Sequence, residues 1–194
     1  VAVQPAELTP RQEERRRRVI RAALELGGAG GYDAVQMREV SAAAEVALGT
    51  IYRYFSSKDH LLSAAMAEWT TELQERLARS PARGESRSDR CVDLLRRAWR
   101  SMAKSPRLSA ALVRALSSSD AGVAACADDV TERFGEMVRS TLDGLPVEVQ
   151  DGIIAVLGHV WHSALVSWVN GRITFDAVGD ELEAAARLLL EPYA

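Results

Sequence analysis

The chain has 194 residues, 47% of them hydrophobic and 26% charged, with a formal net charge of −3. That balance excludes a polycation, so attraction to nucleic acid must come from local charge. The two cysteines, Cys91 and Cys126, lie far apart with no C-x-x-C, which argues against a disulfide framework and for reduced thiols in a cytoplasmic protein.

No apolar run approaches the roughly 20 residues that span a bilayer. The start, "VAVQPAELTPRQEERRRR", has basic residues but no apolar stretch after them, so no signal peptide is read there. No membrane partner is expected. Aromatics are only 6%, β-branched alternation is absent, and alanine, leucine, arginine and glutamate abound. The expected fold class is therefore all-α.

The first helix starts at Pro10, with Thr9 as N-cap and Gln12 completing a capping box. Val19, Ala22, Ala23 and Leu26 recur at helical spacing and predict one buried face. "GGAGG", Gly27 to Gly31, predicts its end. "QMREVSAAAE" predicts a short second helix and "LGTIYRYF" a third, with Ile51 and Phe55 inward. Ser56 or Ser57 caps a long fourth helix from Lys58, ending near "SPARGES". Further helices are expected over "DRCVDLLRRAWRSMAKS", "RLSAALVRALSS", "DAGVAACADDVTERFGEMVRSTLDGL", the segment opened by Pro146, and "TFDAVGDELEAAARLLLEP". The total is nine helices. A boundary is expected at Phe55 to Lys58, separating residues 1–57 from residues 58–194.

Two short helices joined tightly after a longer basic helix suggest a helix-turn-helix. Crossing helices need small apolar residues inside, and Val40, Ala43, Ala44, Val46 and Ile51 supply them. The outward side needs donors for phosphates and base edges. Arg38, Thr50, Tyr52, Arg53, Tyr54 and Lys58 supply those, and Gly49 lets the backbone approach the groove. In the run "ERRRRVIR", Arg15 to Arg18, with Arg16 and Arg17 central, and Arg21 are candidates to neutralise phosphates or enter the minor groove. The plain alternative is a solvated helix face paired with Glu13 and Glu14.

The stretch "VQMREVSAAAEVALGTIYRYFSSKDHLL", Val35 to Leu62, resembles the signature of the TetR family of bacterial repressors, and within it the sterol-catabolism repressors. The motif covers about the first third of the chain. One departure stands out: Glu45 occupies the turn position where the family usually has glycine, which implies some strain or a slightly different turn. The resemblance implies that Arg38, Leu48 and Gly49 face bases, that Thr50, Tyr52 and Tyr54 contact phosphates or bases, and that Lys58 binds phosphate. Gln36 replaces a common threonine that touches phosphate. Arg53 has a less uniform role.

The resemblance also implies a homodimer through the last two helices, reading double-stranded operator DNA with two-fold symmetry. Ile153, Ile154, Val156, Leu157, Val160, Trp161, Leu165 and Trp168 make one of those helices apolar nearly all round. The middle helices would enclose a small apolar effector, and a sterol-derived acid or its CoA thioester fits the narrower resemblance. Candidate lining residues are Trp69, Leu73, Trp99, Met102, Leu112, Phe134, Met137, His162 and Trp168, each with ordinary core packing as its alternative.

His159 and His162 share a helix face, but no further ligand lies within a turn, so no metal site is expected. No G-x-S-x-G, H-E-x-x-H, P-loop or dinucleotide fingerprint is present, so neither catalysis nor a cofactor is expected. The competing reading is a helical small-molecule-binding protein or enzyme without DNA function. It leaves the polar outward face of Val35 to Lys58 without a purpose.

Overall fold

The computed structural model describes residues 8–193. Nine α-helices and one short 3-10 turn account for the regular structure among them: α1 (Pro10–Ala34), α2 (Met37–Ala44), α3 (Leu48–Tyr54), α4 (Lys58–Ala78), α5 (Arg87–Ala103), α6 (Pro106–Leu116), α7 (Ala121–Arg139), α8 (Val147–Val169) and α9 (Phe175–Leu190), then Glu191–Tyr193.

The helix starts follow the capping chemistry of the sequence. The Thr9 hydroxyl accepts from Gln12 N–H while the Gln12 side chain accepts from Thr9 N–H. Ser57 caps α4, accepting from His60 N–H at 3.1 Å. The glycine cluster behaves differently from the expectation. Helical backbone passes through Gly27 to Gly30, and only Gly31 breaks it, with φ 73° and ψ −162°. That conformation needs a residue without Cβ. A last helical turn, holding Tyr32, follows the kink.

α1 packs on α2, α4 and α6, while α4 lies along α7 and α6. One core joins Val19, Ile20, Val40, Ile51, Phe55, Leu61 and Leu62 to Leu112, Val113, Leu165 and Leu182. The three N-terminal helices therefore do not close a core of their own; they share one with the body. A second core gathers Leu73, Leu77, Cys91, Leu95, Met137, Val138, Leu142, Leu157 and Leu190 at the other end of α4. Burial there pushes the Cys91 thiol up to about 11, which leaves it inert.

Two expectations are corrected here. Ala43 is exposed, because the α2–α3 crossing is filled by Val40, Ala44, Val46 and Ile51 alone. And α8 is long and apolar enough to cross a membrane by length and composition, contrary to the estimate from apolar runs. Its few charges lie near its start, so the rest reads as one apolar helix. In this fold it packs against α6, α7 and α9.

Candidate nucleic-acid interface and effector cleft

The turn between α2 and α3 is braced from within. Ser41 Oγ donates to the Val46 carbonyl at 2.7 Å. Glu45 takes the left-handed conformation, φ 53° and ψ 42°, the one positive φ outside glycine among the described residues. The strain anticipated from its glycine-like position is present.

α3 has two contrasting sides. Ile51 and Phe55 are 0% and 1% exposed and anchor it. Gly49, Tyr52 and Arg53 face solvent, Tyr52 at 51%, and Leu48 and Thr50 are half-buried beside them. Gln36 and Arg38 are exposed at the start of α2, which brings them to the same end of the motif. Gln36 is the α2 N-cap residue, yet its side chain makes no capping bond and stays free.

Tyr54 departs from the expectation that it faces outward. Its hydroxyl is buried without a hydrogen-bond partner, and its ring meets Phe55 edge-on at 6.3 Å. Five residues after Gly49 on a helix of 3.6 residues per turn, the side chain has rotated toward the body. Arg16 departs as well. Its guanidinium pairs with Glu68 on α4 and stands 5.5 Å from the Phe55 ring centroid, so it ties α1 to α4. Arg17 keeps the solvent-facing position, 61% exposed and 3.7 Å from Glu13. Lys58 lies half-buried at the start of α4, its Nζ donating to the Tyr32 carbonyl at 3.2 Å.

The joint between α3 and α4 is also met by α7. Asp120 caps α7, and its carboxylate accepts from Gly122 N–H at 2.7 Å and from Ser56 Oγ at 3.1 Å. Any Cβ at Gly122 would collide with the His60 ring, so the glycine permits this close approach. His60 Nδ1 accepts from Ser56 N–H at 3.2 Å. Burial, with Arg16 adding to it against the pull of Asp120, lowers the His60 pKa.

In the body, a cleft of about 220 Å³ opens between α4, α5 and α6. Trp69, Met102 and Leu112, three of the nine candidates, line it together with Met66 and Leu108. Arg76 and Lys104 stand at its polar side with Ser101, Ser105 and Ser109, and no carboxylate is among its lining residues. The other six candidates lie elsewhere. Leu73 and Met137 fill the second core. Trp99 stacks on Phe175 at 5.4 Å and donates its indole N–H to the Phe175 carbonyl at 3.0 Å. Trp168 meets the same Phe175 ring at 4.6 Å, and Phe134 packs on Trp161 at 5.3 Å. His162 is exposed. Aromatic partners satisfy these rings, which removes them from the cleft. Arg76 follows Trp69 by seven residues, two helical turns, a spacing that puts both on one face of α4.

An exposed donor face on the second helix of a tight helix-turn-helix, carried by an all-helical body with an apolar cleft, defines a one-component DNA-binding regulator. Residues 19–65 match the bacterial regulatory proteins of the tetR family, and residues 84–189 match the tetracyclin repressor-like C-terminal domain. The chain belongs to the TetR family and is a DNA-binding transcriptional repressor of that type. It is 39% identical, over 92% of its length and 84% of the relative's, to the HTH-type transcriptional repressor KstR of Rhodococcus jostii. A crystal structure of a TetR transcriptional regulator from Rhodococcus sp. RHA1 superposes with a TM-score of 0.82 at 30% identity, covering 95% of this chain and all of that one. Thermus thermophilus FadR, solved in complex with lauroyl-CoA, shares the fold at a TM-score of 0.72 and 22% identity, with 92% and 95% covered.

Proposed function

We propose that the chain is a ligand-responsive repressor that holds a palindromic operator as a homodimer and is released by an apolar acid or its CoA thioester. The observation that carries this reading is the two-sided α3: Ile51 and Phe55 are sealed in the core while Tyr52, Arg53 and Gly49 face solvent, as do Gln36 and Arg38 at the start of α2. In this reading residues 1–57 read DNA in the cytoplasm, residues 58–194 sense the effector and dimerise, and Lys58 binds phosphate at the junction. Arg17, Leu48 and Thr50 complete the DNA face.

Dimerisation through α8 and α9 is supported by what the single chain leaves uncovered. Val147, Val156 and Leu188 are 60%, 44% and 71% exposed, and little of the apolar stretch of α8 is buried within the chain. A partner's copy of the same surface covers them in a two-fold pair. The effector reading is supported by the cleft. Its apolar floor of Met66, Trp69, Met102, Leu108 and Leu112 faces two cations and no lining carboxylate, which suits an amphipathic anion. Ligand pockets usually hold about 300–1,000 Å³. A cleft smaller than that takes one part of an elongated molecule and leaves its charged end at Arg76 and Lys104. The FadR relative bears on the chemical class: it was crystallised with an acyl-CoA.

The test is a mobility shift on a duplex selected from random DNA, titrated with lauroyl-CoA and with a sterol carboxylic acid and its CoA thioester. Reversal of the shift by one of these supports the full reading. DNA binding indifferent to all of them overturns the effector class, and failure to select any duplex overturns the repressor reading for this chain.

A further inference from the structure

Tyr32 is the place where the end of α1, the start of α4 and the last turn of α6 meet. Its ring centroid lies 3.7 Å from Lys58 Nζ and 4.1 Å from the guanidinium carbon of Arg114. Both cations therefore lie within cation–π distance of the one ring. Lys58 also donates to the Tyr32 carbonyl at 3.2 Å, and the Tyr32 hydroxyl donates to Asp59 Oδ1 at 2.5 Å. Burial, then the bond to Asp59, push the phenol up to about 12, so it stays a donor. Arg114 lies 3.9 Å from Asp33, the next residue along. The whole arrangement hangs on the turn that follows the Gly31 kink.

We propose that Tyr32 is a positioning residue for DNA binding, holding the Lys58 ammonium in place for phosphate, and that Arg114 sets Tyr32 from α6. The proposal rests on the reading of Lys58 as a phosphate ligand. A lysine side chain has four rotatable bonds, and fixing them on binding costs entropy. The ring face and the carbonyl fix them beforehand. An ammonium carries three donors; the Tyr32 carbonyl takes one and the ring face engages another, which leaves one for a phosphate oxygen.

Arg114 sits on the same helix as Leu108, Ser109 and Leu112, which line the cleft.

A double-mutant cycle on the selected duplex tests this, using the full chain and DNA alone. Tyr32→Leu weakens binding about fivefold, as expected for losing a cation–π contact. In a Lys58→Ala background the same substitution changes affinity less than about twofold, because the contact is already gone. Tyr32→Phe, which keeps the ring, retains most of the binding. Arg114→Gln weakens binding in the same direction, and its effect also vanishes without Lys58. Should Tyr32→Leu fail to fold, the Arg114→Gln cycle carries the test, since that side chain is 56% exposed. Losses of equal size with and without Lys58 overturn the proposal, since a purely structural role or a direct DNA contact is additive. If Lys58→Ala alone leaves affinity and salt dependence unchanged, the reading of Lys58 falls and the proposal falls with it.

Discussion

The Arg16 guanidinium of α1 pairs with the Glu68 carboxylate of α4 while lying over the Phe55 ring, and its neighbour Arg17 points to solvent. Adjacent arginines in one basic run therefore have different tasks. Arg16→Ala should cost about 1 kcal/mol of stability, the upper range for a part-exposed pair, and leave the salt dependence of DNA binding unchanged. Arg17→Ala should leave stability alone and reduce the salt slope by about one unit if it contacts a phosphate. Urea denaturation and binding at several salt concentrations separate the two outcomes.

Glu45 holds the left-handed conformation at the C-cap of α2, where glycine is unstrained. Glu45→Gly should stabilise the protein by about 0.5–1 kcal/mol, the relief of strain less the added freedom of the unfolded chain. That is a rise in Tm of about 1–4 °C for a domain of this size, readable by calorimetry.

Tyr52 and Tyr54 are two residues apart and should respond in opposite ways. The buried Tyr54 hydroxyl has no partner, so Tyr54→Phe should be neutral or stabilising by up to about 1 kcal/mol, with DNA affinity unchanged. Tyr52→Ala removes an exposed ring from the reading face, and should weaken binding about tenfold without lowering Tm. Equal effects of the two on DNA affinity would contradict this division.

His60 supplies a pH dependence. Its folded pKa lies below the ordinary value of 6.5, chiefly through burial, and its Nδ1 accepts from Ser56 N–H. A proton on Nδ1 forfeits that bond. The unfolded chain takes up the proton first as pH falls below about 6.5, so stability is full above that value and declines toward the folded pKa. His60→Asn keeps an acceptor and does not titrate, so the decline below about pH 6.5 should flatten in urea melts of the variant.

Much of this was legible in the sequence because local chemistry set it. Thr9, Ser57, Asp120 and Thr174 cap helices by short-range bonds that residue type announces. The inward placing of Ile51 and Phe55 follows from their spacing of four. What escaped depends on partners far along the chain. Arg16 is drawn from solvent by Glu68, 52 residues on, and Lys58 by Tyr32, 26 residues back. The aromatics Trp99 and Trp168 met at Phe175, which no periodicity on their own helices could reveal. The apolar character of α8 was visible residue by residue, but its length as one apolar helix emerged only with its bounds.

The central claim, that the α2–α3 face reads a symmetric DNA site, is tested most directly by selection from random duplexes followed by footprinting. The expected product is an inverted repeat with half-sites about one helical turn, 34–36 Å, or a multiple apart. Selection with Arg38→Ala should return a degenerate sequence at one position of each half-site. Recovery of no common sequence, or of the same sequence by a protein carrying both Arg38→Ala and Tyr52→Ala, would contradict the claim.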